Sequence, residues 1–104
     1  MSETASRRAV GIDEVRRHRA ELAAIGKRYG VENIRVFGSV ARGEADDSSD
    51  LDLLVDVLPG RGLLALSGFA GEVDDVLQVF TQVATVNGLR PRIRARVLAE
   101  AVPL

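Results

Sequence analysis

Two aspartates near the middle of this 104-residue chain have the type and spacing for metal chemistry. Asp50 and Asp52 stand at the mouth of the run L-D-L-L-V-D-V-L, which is typical of a β-strand. Alternate residues of a strand point to the same face, about 6.5–7 Å apart along the chain, so both carboxylates can reach one hard cation. The plainer interpretation of such a pair is a solvated strand end, and the turn that precedes it favours the metal.

A Gly38-Ser39 turn precedes the aspartates, with ten residues between Ser39 and Asp50. Gly38 permits a backbone geometry and a close approach that a side chain would block. Ser39 adds a hydroxyl and an N–H, and we expect a single helical turn from here to Arg42. The N–H groups of such a turn suit a phosphate. Phosphate donors on one side and carboxylates on the other predict a site for a Mg²⁺-nucleotide.

Hydrophobic spacing predicts the elements that position these residues, in the order helix, strand, strand, helix, strand, helix. The predicted strands cover residues 34–37, 51–58 and 79–86, and the predicted helices cover residues 15–29, 63–76 and 91–101. In the second strand, Leu54 shares the face of the aspartates, opposite to Leu51 and Leu53. His18 lies on the apolar edge of the first helix and is interpreted as a packing or surface residue, and Pro103 ends the last helix.

The turn and the aspartates together form the signature G-S-x10-D-x-D, which resembles that of the DNA polymerase β-like nucleotidyltransferases. The fuller run G-S-V-A-R-G-E-A-D-D-S-S-D-L-D-L-L-V is similar to the minimal nucleotidyltransferases, and the resemblance covers roughly residues 15–104. It implies the nucleotidyltransferase fold, an α+β (α/β) architecture with helices packed on a small mixed β-sheet. Small members of this branch are often antitoxins of HEPN ribonuclease toxins, so it also implies a HEPN-type partner.

The resemblance assigns roles to five of these residues. Asp50 and Asp52 become the catalytic carboxylates and the ligands of Mg²⁺ or Mn²⁺. Gly38, Ser39 and Arg42 become the binding residues for ATP or another nucleoside triphosphate. For Arg42, one helical turn beyond Ser39, a surface ion pair with a nearby acid, Glu44 or Asp46, is an equally good interpretation.

One position departs from the family pattern. The family has a third carboxylate on the third strand, and this chain reads T-Q-V-A-T there, which places Gln82 at the matching position. An amide offers a carbonyl oxygen to a metal, but it cannot act as a general base. Asp74 or Asp75 could substitute, although both are predicted to lie on the preceding helix.

Two interpretations of function follow. In the first, the chain transfers a nucleoside monophosphate, such as AMP, to a protein or RNA acceptor. In the second, it is an antitoxin or binding module that neutralises its partner by contact and keeps an impaired nucleotide site. The intact signature favours the first interpretation and Gln82 favours the second.

A basic cluster near the C-terminus supports a third and weaker interpretation, an RNA-binding adaptor. Arg90, Arg92, Arg94 and Arg96 alternate in the sequence at and after the start of the last predicted helix. They form either a solvated helix surface or an anchor for an acidic protein surface or RNA phosphates. Only four aromatic residues occur in the chain, so a base-stacking platform and direct nucleic-acid binding are not expected.

Composition limits the remaining possibilities. The length suits one domain, which we assign to residues 11–104, after a flexible tail over residues 1–10. The chain has no cysteine and no apolar run near the ~20 residues of a membrane span, so we expect a cytoplasmic protein that makes no membrane contact. A net charge of −1 gives no bulk attraction to polyanions. A homo-oligomer remains an open expectation.

Overall fold

A computed structural model describes residues 9–104 of the chain. Most of the predicted tail, residues 1–8, lies outside the described residues. Val10, also part of the predicted tail, is 2% exposed and belongs to the core. The helices and strands run, in chain order, α1 (Ile12–Arg17), α2 (Arg19–Tyr29), β1 (Val31–Phe37), α3 (Gly38–Arg42), β2 (Leu51–Val57), α4 (Leu63–Leu77), β3 (Thr81–Ala84), α5 (Pro91–Glu100) and β4 (Val102–Pro103).

The four strands form one mixed sheet in the order β3-β2-β1-β4. β1 pairs antiparallel with β2 and β4, whereas β2 and β3 are parallel. The predicted α+β fold with helices packed on a small mixed sheet is therefore confirmed. The parallel pair requires a crossover, and α4 supplies it.

The core lies where α2 and α4 pack on each other and on the sheet. Leu51, Leu53 and Val55 alternate along β2 and are fully buried in this cluster. Leu54 points to the opposite face by strand alternation, yet it is also fully buried. The sheet is thus covered on both sides next to the predicted metal ligands, which explains the apolar run of β2.

The first predicted helix is wrong in one respect, because it divides into α1 and α2 at His18. In a continuous helix the Glu14 carbonyl would accept the N–H of His18. Here the ring Nδ1 of His18 donates to that carbonyl at 3.0 Å, and the backbone N–H of His18 turns to Val15 O at 3.1 Å. A side chain that competes for a backbone acceptor interrupts the ladder. His18 is half-buried, as a packing residue should be.

The other differences concern strand ends. β1 begins at Val31 rather than residue 34, and it contains a register shift near Asn33, which has a left-handed φ of 54°. β3 is shorter than predicted. The sequence predicts no β4, because Pro103 is expected to end the last helix. Proline has no N–H to donate, and it fits here because β4 lies at the sheet edge, opposite Arg35.

Candidate functional site

The residues to which the sequence assigns a chemical role meet where β1 ends and where β2 and β3 begin. Phe37, the last residue of β1, lies opposite Asp52 in the antiparallel ladder. Asp52 in turn lies opposite Gln82 in the parallel ladder of β2 and β3. The turn at Gly38, Asp52 and Gln82 are therefore neighbours in space, although they are separated in the sequence.

Gly38 is required by its contact with Asp52. It begins α3 with a left-handed φ of +74°, which L side chains rarely adopt. A Cβ atom at this position would collide with Oδ2 of Asp52 and would lie 3.1 Å from Cγ of the same carboxylate. The missing side chain thus lets the backbone of the turn approach the carboxylate, as the sequence analysis expected of this glycine.

Gln82 is in direct contact with Asp50, the first of the two aspartates. Its Nε2 donates a hydrogen bond of 2.7 Å to Oδ2 of Asp50. The amide therefore neutralises none of the negative charge and cannot take up a proton. Gln82 of β3 thus lies beside Asp52 of β2 and is bonded to Asp50, the residue just before β2.

Asp74 and Asp75 lie on α4, as predicted. Across residues 9–104, no group of three or more histidine, aspartate or glutamate side chains is arranged to hold a metal ion. Neither residue of α4 therefore completes the Asp50–Asp52 pair, and the substitution that the sequence left open is not found in this conformation.

Burial is the largest influence on the pKa of Asp52. Desolvation raises the pKa of this half-buried carboxyl above its usual value of 3.8, Arg42 acts in the opposite direction, and Glu100 adds a further increase. A carboxylate that is short of compensating positive charge gains from a cation placed beside it.

Arg42 adopts the ion pair that the sequence analysis left open beside the phosphate role. Its Nε donates to Glu44 Oε1 at 2.9 Å, and its Nη1 donates to Glu100 Oε1 at 2.8 Å. The same guanidinium is near enough to lower the pKa of Asp52. Arg42 therefore lies at the site with carboxylate partners on two sides.

Glu100 is a residue of this site that the sequence analysis did not identify. It ends α5, and its Oε1 accepts both the Arg42 contact and a hydrogen bond of 3.2 Å from the backbone N–H of Gly38. One signal was available, because Glu100 is the only carboxylate side chain after Asp75. A single acid that follows a run of arginines suggests a specific partner.

Two other acids are accounted for elsewhere. Asp46 Oδ1 accepts hydrogen bonds from the backbone and side chain of Ser48 and from Ser49, which orders the loop before Asp50. Asp56 binds Arg35 at 2.9 Å, four residues beyond Asp52 along β2. Asp46 therefore orders the loop, and Asp56 is paired away from the proposed metal ligands.

Comparison with known proteins identifies the family. The profile of the nucleotidyltransferase domain matches residues 15–104. The chain belongs to the nucleotidyltransferase domain family.

Relatives of similar size place this nucleotidyltransferase in the minimal branch. A candidate protein adenylyltransferase of Methanocaldococcus jannaschii is 36% identical over 93 residues, which cover 89% of this chain and 97% of the relative. The protein adenylyltransferase MntA of Thermococcus cleftensis is 35% identical over 85 residues, which cover 82% of this chain and 83% of the relative.

Solved structures agree with this placement. The structure of a minimal nucleotidyltransferase superposes with a TM-score of 0.80 at 41% identity, and the match covers 91% of this chain and 97% of that one. A toxin–antitoxin complex with AMP-PNP superposes with a TM-score of 0.68. At 15% identity, over 81% of this chain and 69% of that chain, it shows the fold alone.

The donor set of this nucleotidyltransferase fits a magnesium ion. Mg²⁺ is commonly held by one or two carboxylates together with substrate phosphates and water, and it does not need a cage of protein ligands. Asp50 and Asp52 are two such carboxylates, and the absence of a side chain at Gly38 lets the backbone of the turn approach Asp52 closely. The site suits a metal that arrives with a polyphosphate.

The arginine cluster divides by role. Arg94 is structural, since its guanidinium donates to the carbonyls of Val86 and Leu89 at 3.0 Å and holds the loop between β3 and α5. Arg90, Arg92 and Arg96 are exposed.

Within the described part of the chain, no helix is long and apolar enough to cross a bilayer.

Proposed function

We propose that this chain binds a Mg²⁺-nucleoside triphosphate, ATP by preference, and transfers the nucleoside monophosphate to a protein acceptor. The close approach of Gly38 to Asp52 supports this most directly, because it places a turn suited to phosphate beside a half-buried carboxylate. The preference for adenine and for a protein acceptor rests on the adenylyltransferase relatives.

The proposed reaction moves one phosphoryl centre. An acceptor hydroxyl oxygen forms a bond to the α-phosphorus, the bond from that phosphorus to the β-phosphate oxygen breaks, and pyrophosphate leaves. Asp50 and Asp52 would hold Mg²⁺ or Mn²⁺, which would neutralise charge on the phosphate oxygens. The backbone of Gly38 and Ser39 would hold the triphosphate, and Arg42 would face it from the next turn.

Position 82 offers no basic side chain that could take the proton of the acceptor hydroxyl. Gln82 donates to Asp50 and cannot accept a proton, so the hydroxyl proton would pass to solvent. General-base assistance is typically worth ~10²–10⁴-fold in rate. We therefore expect transfer by this chain to be slow compared with its binding of the nucleotide.

The contact of Gln82 with Asp50 favours a second candidate function. In this alternative the chain neutralises a toxin by direct contact, and the nucleotide site is catalytically impaired. The fold similarity to a toxin–antitoxin complex supports a toxin as partner in either case. We propose a HEPN-type toxin, on the basis of the sequence resemblance, and a cytoplasmic location for the pair.

Calorimetry with ATP, with and without Mg²⁺, tests the proposed site. We expect metal-dependent binding to the wild type and a large loss of it in Asp50→Asn, because one of two metal-binding carboxylates is removed. Asp56→Asn is the matched control, since Asp56 lies on the same strand but binds Arg35. Equal and negligible heats for wild type and Asp50→Asn would exclude the proposed function.

A further inference from the structure

Glu100 takes up the donors that the proposed triphosphate needs. Its Oε1 accepts from the N–H of Gly38 at 3.2 Å and from Nη1 of Arg42 at 2.8 Å, and Arg42 also reaches its Oε2 at 3.3 Å. The side chain of Glu100 is only 18% exposed, whereas that of Arg42 is 48% exposed. A carboxylate from the end of α5 is thus seated in the turn between β1 and α3.

A carboxylate and a phosphate bind the same kinds of hydrogen-bond donor. Both accept charge-assisted hydrogen bonds from backbone N–H groups and from guanidinium groups. We propose that Glu100 is an internal competitor for the nucleotide: it occupies the phosphate position until a triphosphate displaces it. This inference rests on the proposed function and concerns the regulation of the same site.

Electrostatics favour exchange of the two anions over sharing of the donors. Glu100 is close enough to Asp52 to repel its charge. A triphosphate would bring further negative charge to the same place, and one N–H cannot serve two anions equally well. The Mg²⁺ ion bound to the triphosphate would compensate the negative charge of Asp52, whereas the carboxylate of Glu100 cannot.

Arg42 can change partner without losing its position. Its Nε is held by Glu44 Oε1 at 2.9 Å, independently of the Nη1 contact with Glu100. When Glu100 leaves, Nη1 becomes available to a phosphate while Glu44 continues to orient the guanidinium. The site therefore contains one fixed and one exchangeable carboxylate on the same arginine.

The test is nucleotide affinity in Glu100→Gln, which keeps the length of the side chain and removes its charge. We expect the dissociation constant for Mg²⁺-ATP to fall about tenfold, the order expected when one charge-assisted contact stops competing. Adenosine, which has no phosphate, should bind wild type and variant equally. Glu100→Asp, which keeps the charge but shortens the reach, should also bind Mg²⁺-ATP more tightly.

Asp56→Asn is the matched control, because it removes a carboxylate from an ion pair with Arg35 and touches neither Gly38 nor Arg42. We expect less than about a threefold change, as for an exposed ion pair. Weaker or unchanged ATP binding by both Glu100 variants, with wild-type binding intact, would overturn the inference and make Glu100 a positioning residue for Arg42. If neither wild type nor Glu100→Gln binds Mg²⁺-ATP, the proposed function fails and this inference with it.

Discussion

Gln82 lies directly opposite Asp52 in the parallel ladder of β2 and β3, and its Nε2 donates to Oδ2 of Asp50 at 2.7 Å. Gln82 is therefore bonded to the first aspartate of the proposed metal site and is the strand neighbour of the second. The amide links β3 to Asp50 without adding charge. This arrangement is compatible with metal and nucleotide binding, and it leaves the acceptor hydroxyl without a basic group from β3.

Restoring a carboxylate at position 82 should increase transfer. Gln82→Asp places a charge on the same strand, opposite Asp52. We expect nucleotide transfer to a protein acceptor to rise by about 10²-fold or more, since a general base becomes available. Transfer of radiolabelled nucleotide measures the effect. The gain should need Mg²⁺ or Mn²⁺ and should vanish when Asp52→Asn is added. Rapid transfer by the wild type that falls in Asp74→Asn or Asp75→Asn would contradict the assignment of Gln82.

Replacement of Gly38 should damage the site more than the fold. Gly38→Ala puts a methyl group against the Asp52 carboxylate at a φ of +74°. We expect a loss of about 1–3 kcal/mol in the free energy of unfolding, together with loss of Mg²⁺-ATP binding. Chemical denaturation and calorimetry measure the two effects.

Gly43 provides the control for this comparison, because it has the same φ of +74° and a Cβ there would meet nothing within 4 Å. Gly43→Ala should therefore lose about 1 kcal/mol from backbone strain alone and keep ATP binding. Equal loss of binding in both variants would mean that the contact between Gly38 and Asp52 is unimportant.

Stability without metal should depend on pH through Asp52. Burial raises the pKa of Asp52 above 3.8, so the folded state holds its proton more tightly than the unfolded state does. Wild-type stability should therefore decrease as the pH rises through the window that begins near 3.8 and ends at the raised pKa. Asp52→Asn should be more stable than the wild type at neutral pH, and the difference should disappear below that window.

Asp46→Asn should show the opposite sign, because hydrogen bonds from Ser48 and Ser49 lower the pKa of Asp46 below 3.8. Its folded state favours the charged form, so the variant should be less stable than the wild type at neutral pH. That deficit should fade as the pH falls through the lowered pKa. Thermal melting from acidic to neutral pH distinguishes the two carboxylates, and identical pH profiles would refute both assignments.

The two proposed modes of toxin neutralisation can be separated by removing the metal ligands. In the double variant Asp50→Ala, Asp52→Ala, protection of cells that express the toxin should be lost while the complex still forms. Mass spectrometry of the toxin should show an added mass of about 329 Da per AMP with the wild type and none with the variant. Full protection by the double variant, with an unmodified toxin, would instead support neutralisation by contact.

The sequence by itself determined the features that depend on neighbouring residues. The alternation of Leu51, Leu53 and Val55 predicts β2 and its buried face, and Gly38-Ser39 before Asp50 predicts a turn beside two carboxylates. These features follow from local periodicity and from the backbone freedom of one glycine, which act over a few residues. The family signature G-S-x10-D-x-D likewise lies within one continuous segment.

Only the tertiary structure decided which distant side chains meet. Glu100 accepts a hydrogen bond from Gly38, 62 positions away in the chain. Arg42 donates hydrogen bonds to both Glu100 and Glu44. The short edge strand β4, opposite Val36, depends in the same way on where α5 ends. Such contacts carry no local period, since they result from how α5 packs beside α3 and from which donors and acceptors must be satisfied there.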